Sequence, residues 1–378
     1  MKVLTSTPLR VVHLTVYRDL PSGIRKQIKW EQSASKRLQG VEWTSLAVHS
    51  GPALESFERR IPRLLRAMFL RNLYGWLTTL RLARTNDVVI VRHMVFDPFA
   101  FLFAPFIRNR VSLHHSREWE ELPLIRPGLA GRLAGALERI TGWVAVRCAM
   151  GVMGVTTEIA RFQVESRAPG KPAGLYVNGV DLDTVHEVAD CRSDDWVRVV
   201  FMSNTFSEWH GLDRLVDAVR DAPTVPAHLT LHLIGHLSEP QKQQITALGS
   251  RAKVFRIHGF LETEAYRALL AKADVGLGSL AMDRQNLQEG ATLKVREMLG
   301  MGLPVYSGHA DTALDTKFPF YHHVASVDIA GLEQFAQSMK THSRSEVRAA
   351  AGPFIEKAAT MQVAADWLRG LCAGDFKR

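Results

Sequence analysis

Short apolar runs alternate with segments of helical length along the whole chain. Val11–Tyr17 reads as a first strand, Asp19–Gly23 as a turn and Ile24–Leu38 as a helix. Val41–Val48 reads as a second strand. A long helical region covers Phe57–Ala83, with strands at Asp87–Arg92 and Arg110–His115. Gly128–Met150 is helical, and Val152–Thr156 and Leu175–Val177 are short strands. The strands are continuously apolar rather than alternating, which predicts a buried parallel sheet with helices on both faces. Asp181–Trp196 is polar, acidic and aperiodic, as a linker would be. The pattern then restarts with strands at Val197–Met202, His228–Gly235, Val254–Gly259, Val275–Leu280 and Leu303–Ser307. Helices over Leu212–Asp221, Glu239–Leu248, Glu262–Ala273 and Gly290–Met301 fall between them. The expected fold is α/β: two Rossmann-like domains, 1–184 and 185–360, facing each other across a cleft, then a terminal segment 361–378. Ligands of such sheets bind beyond the carboxyl ends of the strands, so the cleft is the expected site.

Length and composition agree with this reading. The chain has 378 residues, 46% hydrophobic and 22% charged, enough for two globular cores. Three cysteines, Cys148, Cys191 and Cys372, show no paired spacing, so neither a zinc site nor a disulfide scaffold is indicated, and a reducing cytosol is expected. Residues 1–20 contain no apolar run of secretory length, and no stretch reaches transmembrane length. The net charge of +9 is unevenly spread. Split after His186, the first half holds 26 basic and 15 acidic residues and the second 21 and 23, or +11 against −2. A basic half beside a near-neutral half suggests two tasks, one with an anionic partner.

The most informative stretch runs from Glu289 to Val305. Glu289 and Glu297 stand eight positions apart, which on a helix is a little over two turns, or about 12 Å along the axis. Both carboxylates then lie near one face. The amides of Gly290, Ala291, Thr292 and Leu293 would form a helix N-terminus able to hold a diphosphate. Glu297 could reach a ribose diol while Glu289 reaches a sugar. By spacing alone, an amphipathic helix with two solvated glutamates is the ordinary reading.

Its neighbours change that. Gly302-Leu303-Pro304-Val305 follows, Ala273-Asp274-Val275-Gly276-Leu277 precedes, and Val177-Asn178-Gly179-Val180-Asp181 closes the first half. His210-Gly211-Leu212 with Leu215 and Ala218, and His258-Gly259-Phe260 with Tyr266, fall between. In this order, over residues 175–307, these elements resemble the retaining nucleotide-sugar glycosyltransferases of family 4, which have the GT-B fold. The resemblance implies that Glu289 stabilises charge at the donor sugar's anomeric carbon and that Glu297 binds ribose. Amides from Gly290 on would hold the diphosphate, and Gly259 and Phe260 would line the base pocket. The leaving phosphate would help deprotonate the acceptor on the retained face, with no protein nucleophile, cofactor or metal. The first domain would take the acceptor and the second the donor, and the last helix, around Met361–Leu371, would return to the first domain.

The sequence departs from the family at the loop after the first strand of the second domain. The family places Arg and Lys there to neutralise the diphosphate, whereas Asn204 and His210, the latter before Gly211, occupy those positions here. A protonated histidine could still offset charge. Lys294 is basic and nearby, although its place on the helix also suits solvent. In the first half, Ser22-Gly23 lets the backbone approach a phosphate or acceptor, or forms a plain turn. The resemblance implies a histidine facing the donor sugar at the end of a strand. His114 or His115 could serve. Strand alternation puts one of them in the cleft, and His115 lies nearer the carboxyl end. Adjacent strand histidines point to opposite faces, which weakens a metal reading of His114, His115 and Glu118. Asp181-Leu182-Asp183 is formally a D-x-D but sits in linker context, so no metal is assigned.

Phe57–Ala83 sets an apolar stripe beside seven arginines, as in an interfacial membrane helix or in a Rossmann helix packed on its sheet. With no nucleic-acid module in sight, the charge points to an anionic membrane surface. The expectation is a cytoplasmic enzyme, peripheral at the inner face of the plasma membrane. It would transfer a sugar from a nucleoside-diphosphate donor to a lipid-linked or polysaccharide acceptor. A degenerate, non-catalytic sugar-nucleotide binder and a GT-B-type epimerase are the alternatives.

Overall fold

A computed structural model describes residues 7–376 except Ser193 and Asp315; the start of the N-terminal stretch read above, residues 1–6, lies outside the described residues. The chain forms two units: residues 1–181 with 357–378, and residues 182–356. The unit boundaries fall at 181/182 and 356/357, a few residues before the positions expected from the sequence.

The first unit contains β1 (Leu9–Val16), α1 (Ser22–Ser35), β2 (Val41–His49), β3 (Glu58–Arg60), α2 (Met68–Ala83), β4 (Val88–Arg92) and α3 (Ala100–Phe103). It continues through β5 (Arg110–His114), α4 (Glu118–Ile125), α5 (Leu129–Arg147), β6 (Gly151–Gly154), α6 (Thr157–Arg167) and β7 (Ala173–Leu175). Its seven strands run parallel in the order β3-β2-β1-β4-β5-β6-β7. Strand order reverses at β1, which opens the crevice beyond β1 and β4.

The second unit contains β8 (Val197–Thr205), α7 (Leu212–Asp221), β9 (Leu229–His236), α8 (Glu239–Thr246), β10 (Phe255–Gly259), α9 (Thr263–Lys272) and β11 (Val275–Leu277). Then come α10 (Leu293–Gly300), β12 (Val305–Ser307), β13 (Tyr321–His323), α11 (Ile329–Ser338) and α12 (Arg344–Ile355). Its six strands are parallel in the order β10-β9-β8-β11-β12-β13, with the reversal at β8. Both units are Rossmann-like, as the patterning predicts.

The final helix, α13 (Lys357–Ala373), belongs to the first unit. Met361, Ala364, Ala365 and Leu368 join Val11, Ala34, Val41 and Ile90 in its core. At the head of α13 the Lys357 ammonium lies 3.4 Å from the buried Glu31 carboxylate, which also takes Ser45 Oγ at 2.8 Å and His13 Nδ1 at 2.9 Å. Burial pushes Glu31 up, but His13 and Lys357 outweigh that and hold it below the usual carboxylate range.

Two helices differ from their sequence readings. The long helix over Phe57–Ala83 is broken. Glu58–Arg60 pairs with β2, Pro62 precedes a 3-10 turn, and only Met68–Ala83 is α-helical. Glu58 is tied down by Arg25 at 2.5 Å, His49 at 3.1 Å and the Leu54 amide at 2.9 Å, so that segment pairs with the sheet instead of coiling. The helix expected to start at Gly290 starts at Leu293: Glu289 is bridged to Ala310, the Gly290 amide donates to the Ala310 carbonyl at 2.8 Å, and Thr292 is still extended.

Candidate functional site

In the second unit, β8, β11 and β12 deliver their carboxyl ends around the start of α10. Thr292 occupies the N-cap position with extended backbone, yet its side chain makes no cap. The first-turn amides of Leu293, Lys294 and Val295 thus lack a cap from Thr292, and the first turn itself holds no acidic residue. Thr292 Oγ1 is buried without a partner. So is Lys294 Nζ, whose closest feature is the face of Phe201, 5.0 Å away. Phe201 is a core residue of β8. Lys294 therefore points inward rather than to solvent, and burial lowers its pKa to about 7.

His309, beyond β12, completes this group. Its Nδ1 donates to the Ser279 carbonyl at 3.1 Å and lies 2.9 Å from Ser307 Oγ. That fixes the proton on Nδ1 and leaves Nε2 as a lone-pair acceptor, buried and unpartnered. Burial lowers its pKa to about 4 and the Lys294 charge adds to the shift, so the ring is neutral. A Cβ at Gly290 would stand 2.8 Å from His309 Nε2, so only glycine lets the chain after Glu289 cross this imidazole. Arg296, one turn on, is spent elsewhere: fully buried, it forms a two-pronged pair with Asp311, 2.7 Å on one arm. That pair pins the loop carrying His309 to α10.

Glu289 is half-buried beside this turn, bridged by backbone to Ala310. It lies outside α10, so the two carboxylates do not share one helix. Glu297 is on α10 near Tyr266, whose hydroxyl burial and the Glu297 charge push up. Gly259 is left-handed (φ +66°) with open space at its Cβ, and Phe260 after it is 70% exposed.

The loop after β8 carries no free cation. Asn204 is exposed. His210 Nδ1 accepts the Ser207 amide at 2.9 Å, which puts the proton on Nε2, 3.2 Å from Ser203 Oγ. Burial and the Lys294 charge lower its pKa to about 4, so it is neutral at physiological pH and does not offset charge. Gly211 is left-handed (φ +73°), and a Cβ there would lie 2.9 Å from Leu280 Cβ, which fixes the loop's exit. A separate cavity of about 700 Å³ in this unit is lined by Asp217, Asp221 and Asp328, and does not reach Glu289, Lys294 or Glu297.

In the first unit, a cavity of about 540 Å³ opens beyond β1, β4 and β5, lined by Tyr17, Arg71, Arg92, His115, Glu118 and Glu121 among others. His115 follows β5, with Nδ1 buried and unpartnered. Burial and the nearby Arg92 charge depress its pKa, so it is neutral. His114 does not line the cavity. It is fully buried, with Nδ1 2.7 Å from Glu118 and Nε2 2.9 Å from Ser112 Oγ. Ser22 and Gly23 open α1, exposed, with open space around Gly23.

A nitrogen of His93, one of His114 and a Glu118 oxygen lie within 4.8 Å of one another, the spacing of a metal triad. The set does not suit a cation. His93 is 2.8 Å from Glu138, and the Arg167 guanidinium sits 2.7 Å from Glu138 and 3.8 Å from Glu118, already supplying positive charge. Asp181 is buried and Asp183 exposed.

Sequence reasoning names Glu289, Glu297, His115 and Thr292. It misses His309, which no motif marks, and the inward aim of Lys294.

No family model and no curated protein matches the chain. Among solved structures, it is similar to Anabaena HepE in complex with UDP, at 15% identity and TM-score 0.60, covering 96% of this chain and 100% of that one. It is also similar to the lipopolysaccharide outer core galactosyltransferase WaaB, at 10% identity and TM-score 0.61, covering 97% and 100%. A sucrose-phosphate synthase from Thermosynechococcus elongatus matches at 13% identity and TM-score 0.57, covering 97% of each chain. At these identities the likeness establishes the fold. The chain has the two Rossmann-like domains of the GT-B glycosyltransferases.

Proposed function

We propose that the protein is a nucleoside-diphosphate-sugar glycosyltransferase that retains anomeric configuration. The observation that carries this is Lys294: a buried ammonium without a partner, at the positive end of α10, which Thr292 does not cap. Burying an unpaired cation costs several kcal/mol, so such a group implies an anion that pairs with it. A diphosphate set on the first-turn amides of α10 satisfies both Lys294 and Thr292. In that reading Lys294 takes over the charge that Asn204 and His210 do not provide. Glu289 stabilises the anomeric carbon, Glu297 binds ribose and Phe260 stacks on the base. His309 Nε2 accepts a sugar hydroxyl. His115 keeps the role at the donor sugar that the resemblance implies.

The bond from the anomeric carbon to the diphosphate oxygen breaks while an acceptor hydroxyl bonds to the same face. Its proton passes to the departing phosphate oxygen. The oxocarbenium-like transition state needs charge stabilisation, which Glu289 supplies on one side and Lys294 with the α10 amides on the other. The nucleotide sugar is a co-substrate, and no metal enters a step. Arg71 and Arg92 in the first-unit cavity suit an acceptor bearing phosphate, which favours a lipid-linked acceptor over a plain polysaccharide.

The test is a panel of nucleotide sugars read by thermal shift and by turnover. A cognate donor raises Tm, and Glu289→Gln keeps that shift while kcat falls roughly 10²–10³-fold. No Tm shift with any nucleoside diphosphate would sink the donor site. The neutral His210 and uncharged Asn204 favour the non-catalytic binder as the second reading, and a Tm shift without turnover would establish it.

A further inference from the structure

Helix α5 is amphipathic in the unusual sense. Over its first four turns the buried side is small apart from Glu138, and its leucines and Trp143 face out. Gly131, Gly135 and Gly142 are buried, and a Cβ on Gly131 would strike the Arg126 carbonyl at 1.8 Å. A Cβ on Gly135 would meet the Trp119 carbonyl at 2.8 Å. The helix therefore cannot be turned to bury its leucines. Leu129, Leu133, Leu137, Ile140 and Trp143 recur every three or four residues, so they form one stripe. They are 74, 56, 46, 57 and 45% exposed. Phe101, Leu102 and Phe106, on and just after the neighbouring α3, are 48, 62 and 78% exposed. So large an apolar surface marks an interaction site.

The charges around it are of one sign. From residue 98 to 157 every exposed charged side chain is an arginine: Arg108, Arg126, Arg132, Arg139 and Arg147. Of the acidic residues of that stretch, Glu118 and Glu138 are buried and Glu120 and Glu121 half-buried, Glu120 paired with Arg117. In the segment for which the sequence suggested docking, the stripe is split: Ile61 and Trp76 are buried and Leu73 and Leu80 half-buried, while Leu64, Phe69 and Leu77 are exposed.

We propose that the α5 face docks the first unit on an anionic phospholipid bilayer. In this arrangement α5 lies in the headgroup layer with its leucines and Trp143 among acyl chains and its arginines on phosphates. A second copy of the chain is the poorer occupant, since a two-fold contact would bring the arginine rims together. No helix among the described residues is long and apolar enough to cross a membrane, so docking is interfacial. The inference stands independently of the donor-site reading.

The experiment is vesicle flotation of the full chain, with phosphatidylcholine alone and with added phosphatidylglycerol. The protein is expected to float with the anionic vesicles at low salt and to be released as salt rises. Arg132→Gln and Arg139→Gln are each expected to lower partitioning about fivefold. Leu133→Glu with Ile140→Glu should abolish it. Arg59→Gln with Arg60→Gln, exposed arginines of the same unit off this face, should change it far less. All substituted side chains are exposed, and an unchanged melting curve shows that the fold is kept. Equal binding to neutral vesicles at high salt, equal losses in the Arg59/Arg60 control, or no flotation overturns the proposal. So does a wild-type dimer in sedimentation that Leu133→Glu dissociates.

Discussion

At the scale of single residues, Lys294 presents a testable conflict between stability and function. Its pKa in the fold is about 7, against 10.5 for an exposed lysine. A base with a depressed pKa costs stability as pH falls below its unfolded value, and the full cost is present below about pH 7. Lys294→Met is therefore expected to raise Tm by several degrees near pH 6, with the gain shrinking toward pH 10. The same substitution should weaken nucleoside-diphosphate binding and cut kcat/KM roughly 100-fold or more. Wild-type donor affinity should fall above about pH 7 as Lys294 loses its proton, and Lys294→Arg should remove that limb because guanidinium stays charged. Calorimetric titration across pH checks both. Sequence alone could not assign this role. Whether a lysine in a first helical turn faces solvent or core depends on Phe201, a β8 residue far away in the chain. His309 was unreadable for the same reason: its significance lies in the tautomer set by Ser279 and in the approach of Gly290.

At the scale of elements, the apolar periodicity located every strand but the short β3 and β13, since buried parallel strands leave strong patterns, and it found α1, α5 and α7–α10; it assigned nothing to α3, α4, α6, α11 or α12. It failed where a local hydrogen bond overrode the pattern. The backbone bridge of Glu289 to Ala310 holds the chain extended ahead of α10, which starts three residues late, and Glu58 with Pro62 breaks the helix before α2. Periodicity also shows that α5 has two faces, but not which one is buried. That is decided by glycines whose tightness is visible only against α4. Gly131→Ala is accordingly expected to destabilise the first unit by about 2–3 kcal/mol, because the methyl collides with backbone that cannot step aside. Urea unfolding measures the loss. A change under about 0.5 kcal/mol would show that α4 yields and that the buried face of α5 is not fixed as described.

At the scale of the molecule, the unit boundaries sharpen the charge asymmetry seen in the sequence. Residues 1–181 with 357–378 hold 30 basic and 16 acidic side chains, +14, while residues 182–356 hold 17 and 22, −5. The unit proposed to bind the diphosphate is thus the acidic one, so the proposed donor site would rely on local charge, Lys294 and a helix end, rather than on a global field. The first unit is closed by Lys357 over Glu31. Lys357→Met leaves a buried carboxylate short of its cation and is expected to cost about 3 kcal/mol or more. Glu31 has a depressed pKa, so its contribution is present above about pH 4.5 and drains as the pH falls below that. Acid titration of wild type and Glu31→Gln should show the shallower fall in the variant.

The placement of α13 also sets a schedule for synthesis. Domains generally fold as units while the chain emerges from the ribosome, the earlier one first. Here the earlier one cannot finish. Its core lacks Met361, Ala364 and Leu368, and its buried Glu31 lacks Lys357, until residues 357–368 have been made. The second unit, continuous from 182 to 356, is complete before then. The nascent chain thus folds its second unit while the basic first unit waits with an open core, and emergence of α13, rather than of residue 181, completes that core.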